Sequence, residues 1–237
     1  MNDNTLPHEA TKHAEDPQAF YSLQKLEVIY QAVFRRSTEQ PGFYFEDLGP
    51  QGDSSAFRKR MVALKEGLAR LCKMHTRQRL NYQWMGRFSH QHTSQFHRDS
   101  AQPHSYLILG YEPTQVESKV SLADYTKLVE DQGISLAEYF GGSQEVNTAN
   151  ADPQLQRYVT ELAPFPKNHY RLLLLNNSKS FETTTYGVFH RGEVLQKVAG
   201  EDRILNSLML YTTTLEEEDP HTPQEVNNFV TTEHVDR

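Results

Sequence analysis

The sequence predicts a mainly β protein with flanking α-helices, and three observations carry that expectation. From residue 79 to 213 the apolar positions come in short segments rich in aromatic and β-branched residues, the signature of strands. Ahead of them lie two stretches whose apolar residues recur at three and four, the spacing of a helix face. One helical insertion, 121–140, interrupts the strands. A chain of 237 residues fits a single β domain of this kind.

The first helical stripe is Phe20, Leu23, Leu26, Ile29, Tyr30, Val33 and Phe34, closed by the Pro41-Gly42 turn. The second is Phe57, Met61, Leu64, Leu68 and Leu71, behind an N-cap at Asp53 or Ser54, with Arg70 and Lys73 where cations suit the helix dipole. Residues 17–78 thus read as helical support for a sheet, although the same stripes could form a dimer seam, and the oligomeric state stays open. Strands are expected at 80–89, 105–111, 170–177, 183–192 and 203–213. Within the insertion, Ser121 with Asp124 and Ser135 with Glu138 form two capping boxes. Gly141 to Pro153 reads as a mobile loop and a candidate lid, and the loops 112–120 and 141–168 are expected to set substrate choice.

Hydrophobic residues make up 37%, so a real core requires that the polar excess sit in tails and loops. Residues 1–16 and 214–237 are polar and acidic, and both are expected to be poorly ordered tails. Net charge is −7, of which Glu216, Glu217, Glu218 and Asp219 supply more than half. The nearly neutral remainder argues against bulk nucleic-acid binding, which needs a cationic stripe. No run is long enough to cross a bilayer, and the N-terminus lacks the order of a signal peptide, so a soluble cytoplasmic protein without membrane association is expected. The single cysteine, Cys72, excludes an internal disulfide and thiolate metal clusters, and is expected to be a packed thiol. A metal here must be held by nitrogen and oxygen.

The stretch "FHRDS" supplies such atoms. Alternate residues of a strand share a face, so His97 and Asp99 would project together from points roughly 6.6 Å apart. His190, in a late strand of "TYGVFHRGE", is the candidate third ligand. Two imidazoles and one carboxylate on one face of an octahedron suit non-haem Fe(II) with positions left for other ligands. Arg203, thirteen residues beyond His190, opens the next apolar strand, and its guanidinium can hold a carboxylate bidentately.

The order His97-x-Asp99, His190 in "GVFHRGE" and Arg203 in "GEDRILNSLML" resembles the Fe(II)/2-oxoglutarate-dependent dioxygenase superfamily over residues 79–213. The resemblance implies a double-stranded β-helix, or jelly roll, and implies that His97, Asp99 and His190 are catalytic residues binding iron, with Arg203 on the distal carboxylate of 2-oxoglutarate. It further implies O₂ as co-substrate, hydroxylation of a small molecule or side chain as the usual outcome, and release of succinate and CO₂. Many members carry a hydroxyl residue two positions after the arginine, where this chain has Leu205; Ser207, Tyr82 and Tyr106 are the candidates to replace it.

Other readings compete. His90 and His92 form an H-x-H similar to the first cupin motif, but that motif's glycine spacing is missing, so they are read as rim or turn residues. A cupin-like metalloenzyme would use His90, His92, His97 and His190 without 2-oxoglutarate, and a jelly-roll binding module would use none of them. His104 and His169 read as surface histidines, and Tyr82, Trp84, Phe88 and Tyr106 as sheet-core or cavity-wall residues before any catalytic role.

Overall fold

The computed structural model describes residues 20–50, 52–141, 153–179 and 186–236. The expected N-terminal tail, most of the candidate lid and the start of the expected 183–192 strand lie outside these residues.

Two helices come first. In α1 (Leu23–Val33) the Ser22 side chain caps Lys25 N–H, and Leu26, Ile29, Tyr30 and Val33 turn inward. After β1 (Phe43–Gly49), α2 (Ser54–Thr76) starts at Asp53, whose carboxylate accepts from Ala56 N–H at 2.7 Å. It ends as Arg77 turns left-handed at φ 56°. Apart from the exposed Leu23, the two apolar stripes share one core with the sheet, so they pack inward rather than forming a dimer seam. At Gly110 a Cβ would stand 2.8 Å from the Phe57 ring, so only glycine lets α2 lie directly on the sheet there.

The strands follow as β2 (Arg79–Ser89), β3 (Ser105–Tyr111), β4 (Glu117–Ala123), β5 (Val159–Glu161), β6 (Tyr170–Asn176), β7 (Phe189–Gln196) and β8 (Ile204–Thr213). They build two antiparallel sheets, ordered β1-β6-β3-β8-β2 and β5-β4-β7. The first has both faces covered. In β6, Leu172 and Leu174 meet the helices while Leu173 and Leu175 meet the second sheet, which is why its four leucines run without a polar break. Each such leucine contributes about 1.5–3 kcal/mol by burial. Residues 94–97 run beside β7, with Ser94 N–H on the Gly192 carbonyl at 2.9 Å and His97 and His190 exchanging backbone bonds of 3.0 and 2.9 Å.

Several expectations are corrected. The 112–120 stretch is not all loop, because β4 begins at Glu117. Ser121 therefore sits in a strand, and α3 (Tyr125–Gln132) is capped by Asp124 alone on Lys127 N–H. The second capping box, Ser135 with Glu138, is present at α4 (Leu136–Tyr139). The acidic C-terminal stretch is not a loose tail. Its α5 (Pro223–Thr231) buries Phe229 and Val230, and Arg58 donates to the Val230 and Thr232 carbonyls at 3.1 and 2.8 Å. Asp219 accepts from Lys65 Nζ at 3.3 Å and Tyr82 N–H at 3.2 Å. Two apolar anchors and a few specific bonds outweigh a composition that by itself favours disorder. No helix among the described residues is long and apolar enough to cross a membrane.

Candidate metal centre

His97, Asp99 and His190 meet: one ligand atom from each lies within 4.8 Å of the other two. They do so by a route other than one strand face. His97 sits at an isolated bridge opposite His190, and Asp99 follows outside any strand. His97 Nε2 is nevertheless 3.5 Å from Asp99 Oδ1, and the two imidazole rings are 4.2 Å apart.

The three groups differ in their electrostatics. His97 Nδ1 faces the Gln95 carbonyl at 2.7 Å, and a carbonyl can only accept, so this nitrogen carries hydrogen. That leaves Nε2 as the ligand atom, oriented by a backbone partner as ligating histidines usually are. Burial works against protonated His97, but its bonds to Asp99 and Gln95 outweigh burial and raise its pKa. Burial would likewise raise the Asp99 carboxyl; the His97 hydrogen bond and the charges of His190, His97 and Arg98 win and hold it below the ordinary range. His190 is pushed down to about 4, first by burial, so it stays neutral at physiological pH. Its Nδ1 is buried without a hydrogen-bond partner among the described residues. Two imidazoles and an ionised carboxylate fit a divalent cation, which would take up the Asp99 charge.

A cavity of about 90 Å³ opens from this group, walled by Phe88, Leu109, Tyr111, Gly192, Arg203 and Leu205 among others. Arg203 stands in it only 3% exposed. Its Nε donates to Ser118 Oγ and its Nη1 to the His90 carbonyl, both at 3.0 Å, and its plane lies 5.2 Å from the Tyr111 ring centre. Among the described residues no acidic side chain pairs with it. A buried, unpaired cation is costly, because desolvation is not offset by an opposite charge. Its Nη2 faces Gly192, where a Cβ would stand 3.6 Å away.

The other expected site residues fall elsewhere. His90 lines the cavity, but neither it nor the exposed His92 joins a metal-binding group among the described residues. Tyr106 stacks on Phe34 at 3.9 Å, and Tyr82 packs beneath Lys65 Nζ at 4.1 Å; both belong to the helix-facing core and not to the cavity. Ser207 is fully buried without a partner for its hydroxyl, and is not among the cavity residues. His169 bonds Asp47 at 2.8 Å, and Cys72 is a buried free thiol.

Tyr111 and Ser118 are the residues that sequence reasoning missed. Tyr111 shares strand parity with Leu107 and Leu109, but β3 is apolar on both faces, so alternation did not mark the cavity side. Ser118 lay in a stretch read as loop. No family model matches this chain, and no curated protein does.

Proposed function

We propose that the protein is an Fe(II)- and 2-oxoglutarate-dependent oxygenase on a double-stranded β-helix, acting on a small molecule or a side chain. The strand arrangement supports the fold reading: the chain passes from β2 to 94–97 beside β7, back to β3, on to β4 and β5, and then through β6, β7 and β8 in alternate sheets. One observation carries the functional reading. A buried arginine without an acidic partner among the described residues shares a cavity with a two-histidine, one-carboxylate group.

His97, Asp99 and His190 would hold the iron, which supplies O₂ activation for C–H oxidation while 2-oxoglutarate is oxidised to succinate and CO₂. The chain's own residues do the rest. Arg203 offers Nη2 to the distal carboxylate, an anion that compensates its buried charge. Tyr111, pushed up to about 12 chiefly by burial, remains a neutral phenol that can donate to the same carboxylate. Phe88, Leu109 and Leu205 keep water from the bound acid. Gly192 leaves open the space beside the guanidinium that a side chain larger than alanine would take up.

Anaerobic titration with Fe(II) and then 2-oxoglutarate tests the reading. The expected result is the weak visible charge-transfer band of their chelate, lost in His97→Ala and Asp99→Ala. Iron binding without that band would favour a 2-oxoglutarate-independent metalloenzyme, and no iron binding a non-catalytic module.

A further inference from the structure

Asp99 is the least anchored of the three candidate ligands by secondary structure, for it lies outside every strand. Its backbone is held by one side chain instead. The fully buried Asn177 amide accepts from Asp99 N–H at 2.9 Å through Oδ1 and donates through Nδ2 to the Asp99 carbonyl at 3.0 Å. One amide thus satisfies both polar groups of a residue that no ladder serves. The opposite amide orientation would set donor against donor.

Asn177 is itself held. Its Nδ2 also donates to Ser105 Oγ at 3.1 Å, its backbone N–H donates to the Ser105 carbonyl at 2.9 Å, and its carbonyl accepts from Arg98 Nε at 2.9 Å. It follows β6, so the clamp is referred to a strand buried along its whole length. Aspartate at 177 would keep the acceptor but lose the donor, and alanine would lose both.

We propose that Asn177 is a positioning residue for the metal centre: by gripping both backbone groups of Asp99 it sets where that carboxylate meets His97 and His190. This rests on the metal-site reading above. Contacts that orient metal ligands are worth about 10–100-fold in metal affinity.

Mn(II) binding to the full chain, followed by electron paramagnetic resonance titration, tests this on the wild type and on Asn177→Ala, Asn177→Asp and Ser105→Ala. Ser105→Ala removes both Ser105 Oγ bonds to Asn177, the one from Nδ2 at 3.1 Å and the one to its carbonyl at 3.2 Å, but leaves both clamp bonds. The expected result is one Mn(II) per wild-type chain, about 10–100-fold weaker binding in the folded Asn177 variants, and near wild-type affinity in Ser105→Ala. Should Asn177→Ala not fold, the near-isosteric Asn177→Asp carries the test. Wild-type affinity in a folded Asn177 variant, or equal weakening in Ser105→Ala, overturns the clamp alone. A wild-type protein that takes up no Mn(II) overturns the metal reading and this inference with it.

Discussion

Tyr111 lies directly opposite Leu205 across the antiparallel β3–β8 ladder, and both side chains line the cavity that holds Arg203. The hydroxyl that the chain lacks at 205 is therefore available from the facing strand. Tyr111→Phe is expected to weaken 2-oxoglutarate binding by about 10–100-fold, the worth of a hydrogen bond to a charged group, and to leave Mn(II) affinity unchanged. Paired titrations with the metal alone and with metal plus 2-oxoglutarate check this.

Among the described residues, Arg203 carries a buried charge without an acidic partner. Ligand at a hundred times its Kd stabilises a folded protein by about 2.7 kcal/mol, so wild type with Mn(II) should melt higher when 2-oxoglutarate is added. Arg203→Met should abolish that increment while leaving the unliganded protein at least as stable, because a desolvation cost has been removed. Thermal melts with and without the two ligands read both effects.

A Cβ at Gly192 would stand in ordinary contact, 3.6 Å from Arg203 Nη2 and 4.0 Å from Ser94 Oγ. Gly192→Val puts two more methyl groups beside the guanidinium, and crowding of the bound acid by roughly 1–3 kcal/mol corresponds to a loss of about 5–150-fold in 2-oxoglutarate affinity. Calorimetry should find metal binding intact; unchanged 2-oxoglutarate affinity would show that the ligand does not reach this strand.

Glu112 joins the sheet to the C-terminal segment. It accepts from Ser54, Asn206 and Arg87 at 2.6, 2.9 and 3.2 Å, while Arg58 and Arg87 also hold the Thr232 and Glu233 carbonyls. Burial would raise its carboxyl, but these hydrogen bonds outweigh it and hold the pKa below the ordinary 4.5. A lowered folded pKa means stabilisation that is complete above the unfolded value and lost as pH falls through the folded one. Acid unfolding should therefore lose a component below about pH 4.5 in Glu112→Gln. Glu112→Ala should cost about 3–5 kcal/mol at neutral pH by stranding two buried arginines, measured by urea unfolding.

The main helices and most long strands were legible in the linear chain, whereas β1, β4, β5 and α5 were not. Helical spacing marked α1 and α2, dense apolar runs marked β2, β3, β6 and β8, and His97, Asp99, His190 and Arg203 stood out by residue type and order. These are local properties, set by periodicity and by donor chemistry. Which face each strand shows was another matter. In β2 an extra residue, Gln83, shifts the register between Tyr82 and Trp84, so Tyr82 faces the helices while Trp84 and Phe88 face the second sheet.

The amino-acid order by itself determined a β-rich chain with nitrogen- and oxygen-bearing side chains spaced along it that could ligate a metal. Only the tertiary structure decided that Tyr111 rather than Tyr106 faces Arg203, that Asn177 holds Asp99, and that the acidic C-terminus closes over Arg58 and Arg87. The physical reason is that a strand buried on both sides has no polar face to betray its orientation, and pairings between residues some eighty apart or more arise from packing rather than from local pattern.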